Sequence, residues 1–333
     1  MRIKIIYICM ACCFSLKLFA QDPIFTQYYL FPETLNSGFT GFQETTKAGI
    51  LHRTQWPDLN FRVDSDYANF NTWVPTMNSG IGVNFLSQRE RFTNFSLSQF
   101  NLAYAYKVQL TDQWVFRPGL ELGYGFKSFN FNNIVLEDQI DLGSNTINPI
   151  SIDNLDPNDR VSYLDVSASL LFNNEDLWFG IALKHLNRPN ISLAPGGNLP
   201  LNPLAAFTAG YELKLADYLN LRFLPYSTKL LLTANYMQQG NYNRFDIGSM
   251  FVIDLFYIGA IVATNPNRNS ANSHLLTSIN LIGGLQYENF KFGISHDVNV
   301  SRLGRTGGIY ELSVIFTIDQ KAKCFGCPLY ERI

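Results

Sequence analysis

The sequence has no long hydrophobic run. Nowhere do apolar residues approach the roughly 18 in succession that mark a membrane-spanning helix. The best internal stretch, Leu255–Ala263, is far too short. Charge is scarce too: 16% of the 333 residues are Asp, Glu, Lys or Arg, against about 25% in ordinary soluble domains. The formal net charge of −2 supplies no basic field, which argues against nucleic acid as a partner. Gly-x-Ser-x-Gly, phosphate-loop and EF-hand patterns are missing. Histidine occurs only at 52, 185, 274 and 296, with no ligand spacing among them. Asp153, Asp156 and Asp159 read as a solvated loop in preference to a weak cation site. No catalytic residue, cofactor site or metal site is expected, and no enzyme.

What the chain does have is alternation. In residues 114–127, Trp114, Phe116, Leu120, Leu122, Tyr124 and Phe126 share one parity, and Arg117, Gly119, Glu121, Gly123, Gly125 and Lys127 the other. Side chains of a strand point to opposite faces with period two, so one face suits hydrocarbon and the other water. The run is as long as the roughly 9–11 residues with which a tilted strand crosses a bilayer. Similar rows recur at Phe100–Val108, Leu164–Phe172, Phe290–Val298 and Tyr310–Ile318. Strands are predicted near 46–56, 65–74, 78–87, 95–110, 113–128, 161–173, 177–187, 204–216, 227–238, 243–253, 255–264, 274–287, 289–300 and 307–318. About fourteen is an even number, as in bacterial single-chain barrels. With 47% hydrophobic and 14% aromatic residues, the expected fold is all-β: a transmembrane antiparallel β-barrel over 46–318 in the outer membrane.

The predicted connections differ in length. Residues 111–112 and 174–176 are tight, whereas 129–160, 188–203 and 265–273 are long and follow strands 5, 7 and 11. Counted from a periplasmic start of the first strand, all three face outward, where such barrels carry their longer loops. The polar parity holds Arg53, Lys127 and Lys291 as well as Glu121, Asp165, Glu212 and Glu311. These charges belong in a lumen, not against lipid. Trp56, Trp73, Trp114 and Trp178 lie near strand ends and suit interfacial belts. Ser295, His296 and Asp297 are adjacent, but a strand sends His296 to the opposite face, so they form no relay.

Both ends read differently. Residues 1–20 resemble a cleaved export signal, with Arg2 and Lys4 before the apolar Ile5–Leu16 and with Ala20 before Gln21. Leu18 is larger than the residue usual at that place; an uncleaved anchor and a lipoprotein are the weaker readings. Residues 21–45, punctuated by Pro23, Pro32, Asn36, Gly38 and Gly41 but rich in Phe and Tyr, should pack in the lumen or at its periplasmic mouth. Residues 319–333 form a polar periplasmic tail holding Cys324 and Cys327, a Cys-x-x-Cys in an oxidising compartment. A local disulfide is favoured there over a redox pair or half a zinc site.

Several segments together are similar to one family. These are QDPIFTQYYLFPETLNSGFTGF from 21, HRTQWP at 52–57, GIGVNF at 80–85, FGIALKHLNRPN at 179–190, FGISHDVNVSRLG at 292–304 and GGIYELSVIFT at 307–317. The chain resembles the PorP/SprF family of the type IX secretion system of Bacteroidota. Gln27, Tyr28, Asn36, Gly41, Arg53, Gln55, Trp56, Pro57, His185, Leu186 and Pro189 hold the most specific places. Phe31-Pro32 stands where the family usually has Asn-Pro, and Asn36–Gly41 departs from its Asn-Pro-Ala-Tyr-Ala-Gly run. The resemblance implies outer-membrane lipid, other type IX components and the C-terminal domain of a secreted adhesin-type substrate as partners. It also implies a role in secretion or surface attachment, in some members linked to gliding. Arg53 and Gln55 are expected to point inward, as a lumen cluster holding the N-terminal segment in preference to a partner contact; Gln27, Tyr28, Asn36, Trp56 and His185 are candidate structural or partner contacts. The competing reading is a diffusion channel for small solutes. A lipid-modifying barrel enzyme is a third, for which no Ser-His-acid set can be assembled.

Overall fold

The computed structural model describes residues 22–129, 160–217, 227–267, 275–300 and 306–318, with Pro225 and short pieces between 137 and 148. The predicted export signal, His274, the Asp153–Asp159 run and the Cys324–Cys327 pair lie outside the described residues. Fourteen long strands are present: β1 (Thr46–Gln55), β2 (Val63–Val74), β3 (Ser79–Glu90), β4 (Ser96–Tyr106), β5 (Val115–Ser128), β6 (Arg160–Asn173), β7 (Leu177–Lys184), β8 (Leu204–Lys214), β9 (Lys229–Gln239), β10 (Tyr242–Ile253), β11 (Phe256–Thr264), β12 (Leu276–Tyr287), β13 (Phe290–Asn299) and β14 (Ile309–Ile318). Each pairs antiparallel with its sequence neighbour, and β14 returns to β1, with Thr46 opposite Ile318 and Gln55 opposite Ile309. The ring is closed. No strand edge is left facing hydrocarbon, which has no water to satisfy it.

The period-two rows sort as the sequence predicts. On β5, Leu122 is 60% exposed and Arg117 is 0% exposed. Leu120, Tyr124 and Phe126 also face out, whereas Glu121 is buried in the lumen. Outside, Phe116, Phe172 and Phe179 stack in a row, centroids 4.7 and 5.3 Å apart, with Trp114 edge-on to Phe179 at 6.0 Å. These rings form an aromatic girdle at the short-turn end. Trp73 and Trp178 do not join it. Both are buried inside the barrel, because their parity is the inward one and the lumen offers them packing partners.

The long connections 129–159, 185–203 and 265–275 follow β5, β7 and β11 and share one end of the barrel. The opposite end has short turns, several closed by a left-handed residue: Asn78, Asp254 and Glu288 have φ of 51°, 55° and 51°. Residues 215–228, between β8 and β9, are a longer connection on that short-turn side, which the sequence reading does not foresee. Within 129–159, Ile140–Asp141 pairs with Thr146–Ile147 as a small hairpin apart from the barrel.

The sorting gives a direct test. Leu122→Arg, on the lipid face, should lower stability by about 2–4 kcal/mol if it lies near mid-membrane, read as a shift in the denaturant midpoint in lipid vesicles. Ser167→Ala, in the lumen, should shift it far less.

Candidate functional site

Residues 22–45 run through the lumen from the long-loop end to the short-turn end, where β1 begins. Their composition explains how. The segment has three acids, Asp22, Glu33 and Glu44, and no Lys, Arg or His. The wall supplies the cations. His185 holds Asp22 Oδ2 through Nε2 at 2.7 Å; Lys47 Nζ lies 3.3 Å from Glu33 Oε1; Lys107 Nζ lies 2.6 Å from Glu44 Oε1. A carboxylate out of bulk water persists only when paired or well hydrogen-bonded. The three pairs thus hold the top, middle and bottom of the segment.

Near the long-loop end, Glu311 is the hub. Its carboxylate accepts the backbone N–H of Thr26 at 2.8 Å and of Gln27 at 2.9 Å, and Arg53 Nη1 donates to it at 2.6 Å. Arg53 Nη2 also reaches Gln55 Oε1 at 3.3 Å. Thr26 Oγ1 donates to Asp297 Oδ2 at 2.6 Å, and Ser313 Oγ to Gln27 Oε1 at 2.5 Å. Midway, Lys47 Nζ donates to Leu30 O at 2.7 Å, Asn71 Nδ2 to Glu33 Oε1 at 2.8 Å and Lys184 Nζ to Thr34 O at 2.7 Å. Asn36 caps the second of the segment's 3₁₀ turns, Ser37–Phe39, by accepting Gly38 N–H at 2.8 Å. Its amide nitrogen donates to Leu170 O at 3.2 Å, which ties the turn to β6. At the lower end Arg117, wholly buried, donates to Phe42 O at 2.9 Å and lies over the rings of Phe42 and Trp73. There the segment crosses β3 so closely that a Cβ on Gly80 would sit 2.0 Å from Thr40 O.

The aromatics of the segment are its apolar core. Phe25, Tyr29, Phe31, Phe39 and Phe42 are buried against wall residues that include Leu51, Tyr67, Leu171, Leu231 and Tyr257. Phe31 meets Tyr67 edge-on at 5.8 Å, and Tyr29 meets Tyr257 at 6.0 Å. The lumen wall is therefore mixed, with apolar patches cut to the segment's rings. Among the described residues, the cavities beside the segment are small. A cavity of about 50 Å³ lies beside Glu121, Asp165 and His185, and two more between segment and wall hold about 10 Å³ each. The smaller ones are about the size of a single water.

Of the residues singled out in the sequence, Gln27, Asn36, Arg53, Gln55 and His185 meet along this interface. Tyr28 is buried in it, its hydroxyl 3.5 Å from Thr233 Oγ1. Trp56 stands apart at the end of β1, left-handed (φ 57°) and bonded through its N–H to Gly308 O at 2.9 Å. Ser295 and Asp297 face the lumen, whereas His296 is outside, tilted against the Tyr310 ring at 4.3 Å. Sequence reasoning misses Asp22, Glu33, Lys47 and Arg117. The signal for them was available: three acids without a base in residues 22–45, set against bases on the inward parity of the wall.

Residues 17–316 match the family model described as type IX secretion system membrane protein PorP/SprF. The chain belongs to this family. No curated protein matches it. Among solved structures, CdiB from Acinetobacter baumannii aligns with TM-score 0.45 and 8% identity over 82% of this chain; the chain spans 60% of CdiB. The outer-membrane protein Omp33 of the same organism aligns with TM-score 0.44 and 6% identity over 84% of this chain and 100% of Omp33. The KdgM porin aligns with TM-score 0.37 and 9% identity over 82% of this chain and 99% of its own. In this PorP/SprF chain Gln27 and Asn36 hydrogen-bond to the wall, His185 to Asp22, and Arg53 to the Glu311 carboxylate that receives Thr26 and Gln27 N–H.

The upper tether titrates. Burial favours neutral His185, but the carboxylates of Asp22 and Asp165, the latter 2.9 Å from Nδ1, outweigh it and raise its pKa to about 9. For Asp22, burial acts upward, and charge and hydrogen bonding from His185 reverse it to a net lowering. A raised histidine pKa contributes stability that is full below its unfolded value of about 6.5 and is lost as pH rises through about 9. A lowered carboxylate contributes above about 3.9 and fails as pH falls through its folded pKa. Hydrogen-exchange protection at residues 22–27, taken relative to the intrinsic rate at each pH, should therefore be greatest between these limits and fall above pH about 9; His185→Gln should remove that alkaline fall.

The hub can be tested separately. Arg53→Met leaves Glu311 without its cation and should cost about 3–5 kcal/mol, seen as a lower temperature for loss of heat-modifiable migration. Arg53→Met with Glu311→Gln should recover part of that loss.

Proposed function

We propose that this PorP/SprF barrel works by binding and not by catalysis, as a plugged scaffold that supports secretion or surface attachment of one large adhesin-type type IX substrate. A link to gliding is part of the same proposal. The observation that carries it is the filled lumen. Residues 22–45 leave cavities the size of a few waters, where a diffusion channel needs a continuous aqueous path. The Ser295-His296-Asp297 run is split across the wall, which removes its support for a lipid-modifying enzyme.

In this reading the long-loop end faces the cell exterior. The substrate's C-terminal domain contacts that mouth, where residues 185–203 and the Asp22 end of the segment lie side by side. Its side chains include exposed Leu186 and Leu199. The Cys324–Cys327 tail, as a disulfide, would then face the periplasmic components of the system.

Two measurements test the proposal. A deletion strain examined by surface proteomics should lose one large surface protein, which should also co-purify with the barrel; if none is lost and none co-purifies, the proposal fails. In planar bilayers the full chain should be silent, and a variant lacking residues 22–45 should conduct if it inserts. Stable conductance by the full chain would favour the diffusion channel.

A further inference from the structure

The lipid-facing wall is not uniformly apolar. On the outward row of β1 and β2, His52 lies directly opposite Asp66, and Nδ1 is 2.7 Å from Asp66 Oδ1. Both side chains are open to the outside, 48% and 63% exposed. On its other side His52 is opposite Leu312 of β14, which is 57% exposed to the lipid belt. The pair starts a polar chain running toward the long-loop end. His52 Nε2 is 3.2 Å from Thr54 Oγ1, Thr54 donates to Asp64 Oδ1 at 2.9 Å, and Asp64 is bound by Arg62 at 2.8 Å and Arg91 at 3.2 Å. Arg89, exposed and opposite Asp64 in register, has no ion pair among the described residues. The nearby Glu90 carboxylate is turned into its own loop, where it accepts the N–H groups of Phe92 and Thr93 at 2.6 and 2.8 Å. Three arginines thus surround a single accepting carboxylate and keep N–H donors to spare.

Below this patch lies a furrow of about 670 Å³ in the outer wall. His52 and Asp66 line its upper end, and Ile50, Ala68, Phe85 and Ile294 are among its apolar walls. It is continuous with the barrel's lipid belt. Above it, Phe61 and Phe92, exposed by 52% and 55%, pack together at 4.9 Å, in the manner of interfacial aromatics.

We propose that this face binds one phosphate-bearing lipid of the surrounding leaflet. Its headgroup phosphate takes the free donors of Arg62, Arg89 and Arg91, and an acyl chain lies in the furrow between Ile50, Ala68 and Ile294. The three features that a bound lipid needs occur in the required order along the wall: an apolar slot, a hydrogen-bonded interfacial row and a guanidinium cluster. Arginine presents paired donors to phosphate oxygens and keeps its stem along apolar surface, and clustered cations at a membrane surface attract anionic lipid. The contact would also explain why a His–Asp pair is kept on a wall otherwise given to Leu, Ile and Phe.

The test uses the full chain in nanodiscs of phosphatidylcholine with a minor share of phosphatidylglycerol, then native mass spectrometry of the lipid retained after extraction into detergent. Wild type should keep phosphatidylglycerol in preference to phosphatidylcholine. The combined variant Arg62→Gln, Arg89→Gln, Arg91→Gln should keep it roughly tenfold less. Ala68→Phe, which fills the furrow, should lose bound lipid of either kind while retaining heat-modifiable migration. Lys214→Gln, at the opposite end, should behave as wild type. No preference in wild type, or equal retention by the triple arginine variant, would overturn the proposal. So would a photo-crosslinker at position 50 that labels a protein and not lipid in native outer membranes.

Discussion

Everything in this molecule follows from a backbone that finds no water in the hydrocarbon layer. Each N–H and C=O of a spanning strand must be paired within the protein, so the sheet has to close. The β1–β14 pairing from Thr46–Ile318 to Gln55–Ile309 does this. Closure with fourteen strands then sets a second requirement. A ring of that size encloses more space than its own side chains fill, and the N-terminal segment occupies it.

Filling a lumen with a peptide that lacks regular secondary structure is demanding, because its backbone groups also leave water. Side chains of the wall supply the partners. Glu311 receives two consecutive N–H groups, Lys47 and Lys184 donate to Leu30 and Thr34 carbonyls, and Arg117 holds the carbonyl of Phe42. Charge complementarity decides register: three acids in the segment, each met by a different wall cation. The aromatic rings then add apolar contact that is indifferent to direction but not to shape. With its interior occupied in this way, the barrel leaves its rims and loops as the surfaces open to other molecules.

The outside follows the same logic in reverse. Most of the wall is Leu, Ile, Phe and Val, as lipid requires. The sector at β1–β3 departs from it with the His52–Asp66 pair and the arginines above. Departures of this kind from a strong solvent rule are where contact with a specific molecule is most readily found.

Alternation alone determined the strands. All fourteen were legible, since most outward residues are apolar and inward ones need not be, and this two-way contrast recurs in several crossings. Residues 114–127 display it without ambiguity. The inward pointing of Arg53 and Gln55, and the split of Ser295 from His296, follow from the same parity. Only the tertiary structure decided what meets across the lumen. Asp22 with His185, Glu33 with Lys47 and Thr26 with Glu311 are partners far apart in sequence, and no local pattern fixes which base receives which acid. Trp73 and Trp178 stand on the inward parity of β2 and β7, and the closed barrel brings Lys107 and Arg117 over the first and apolar lumen residues against the second.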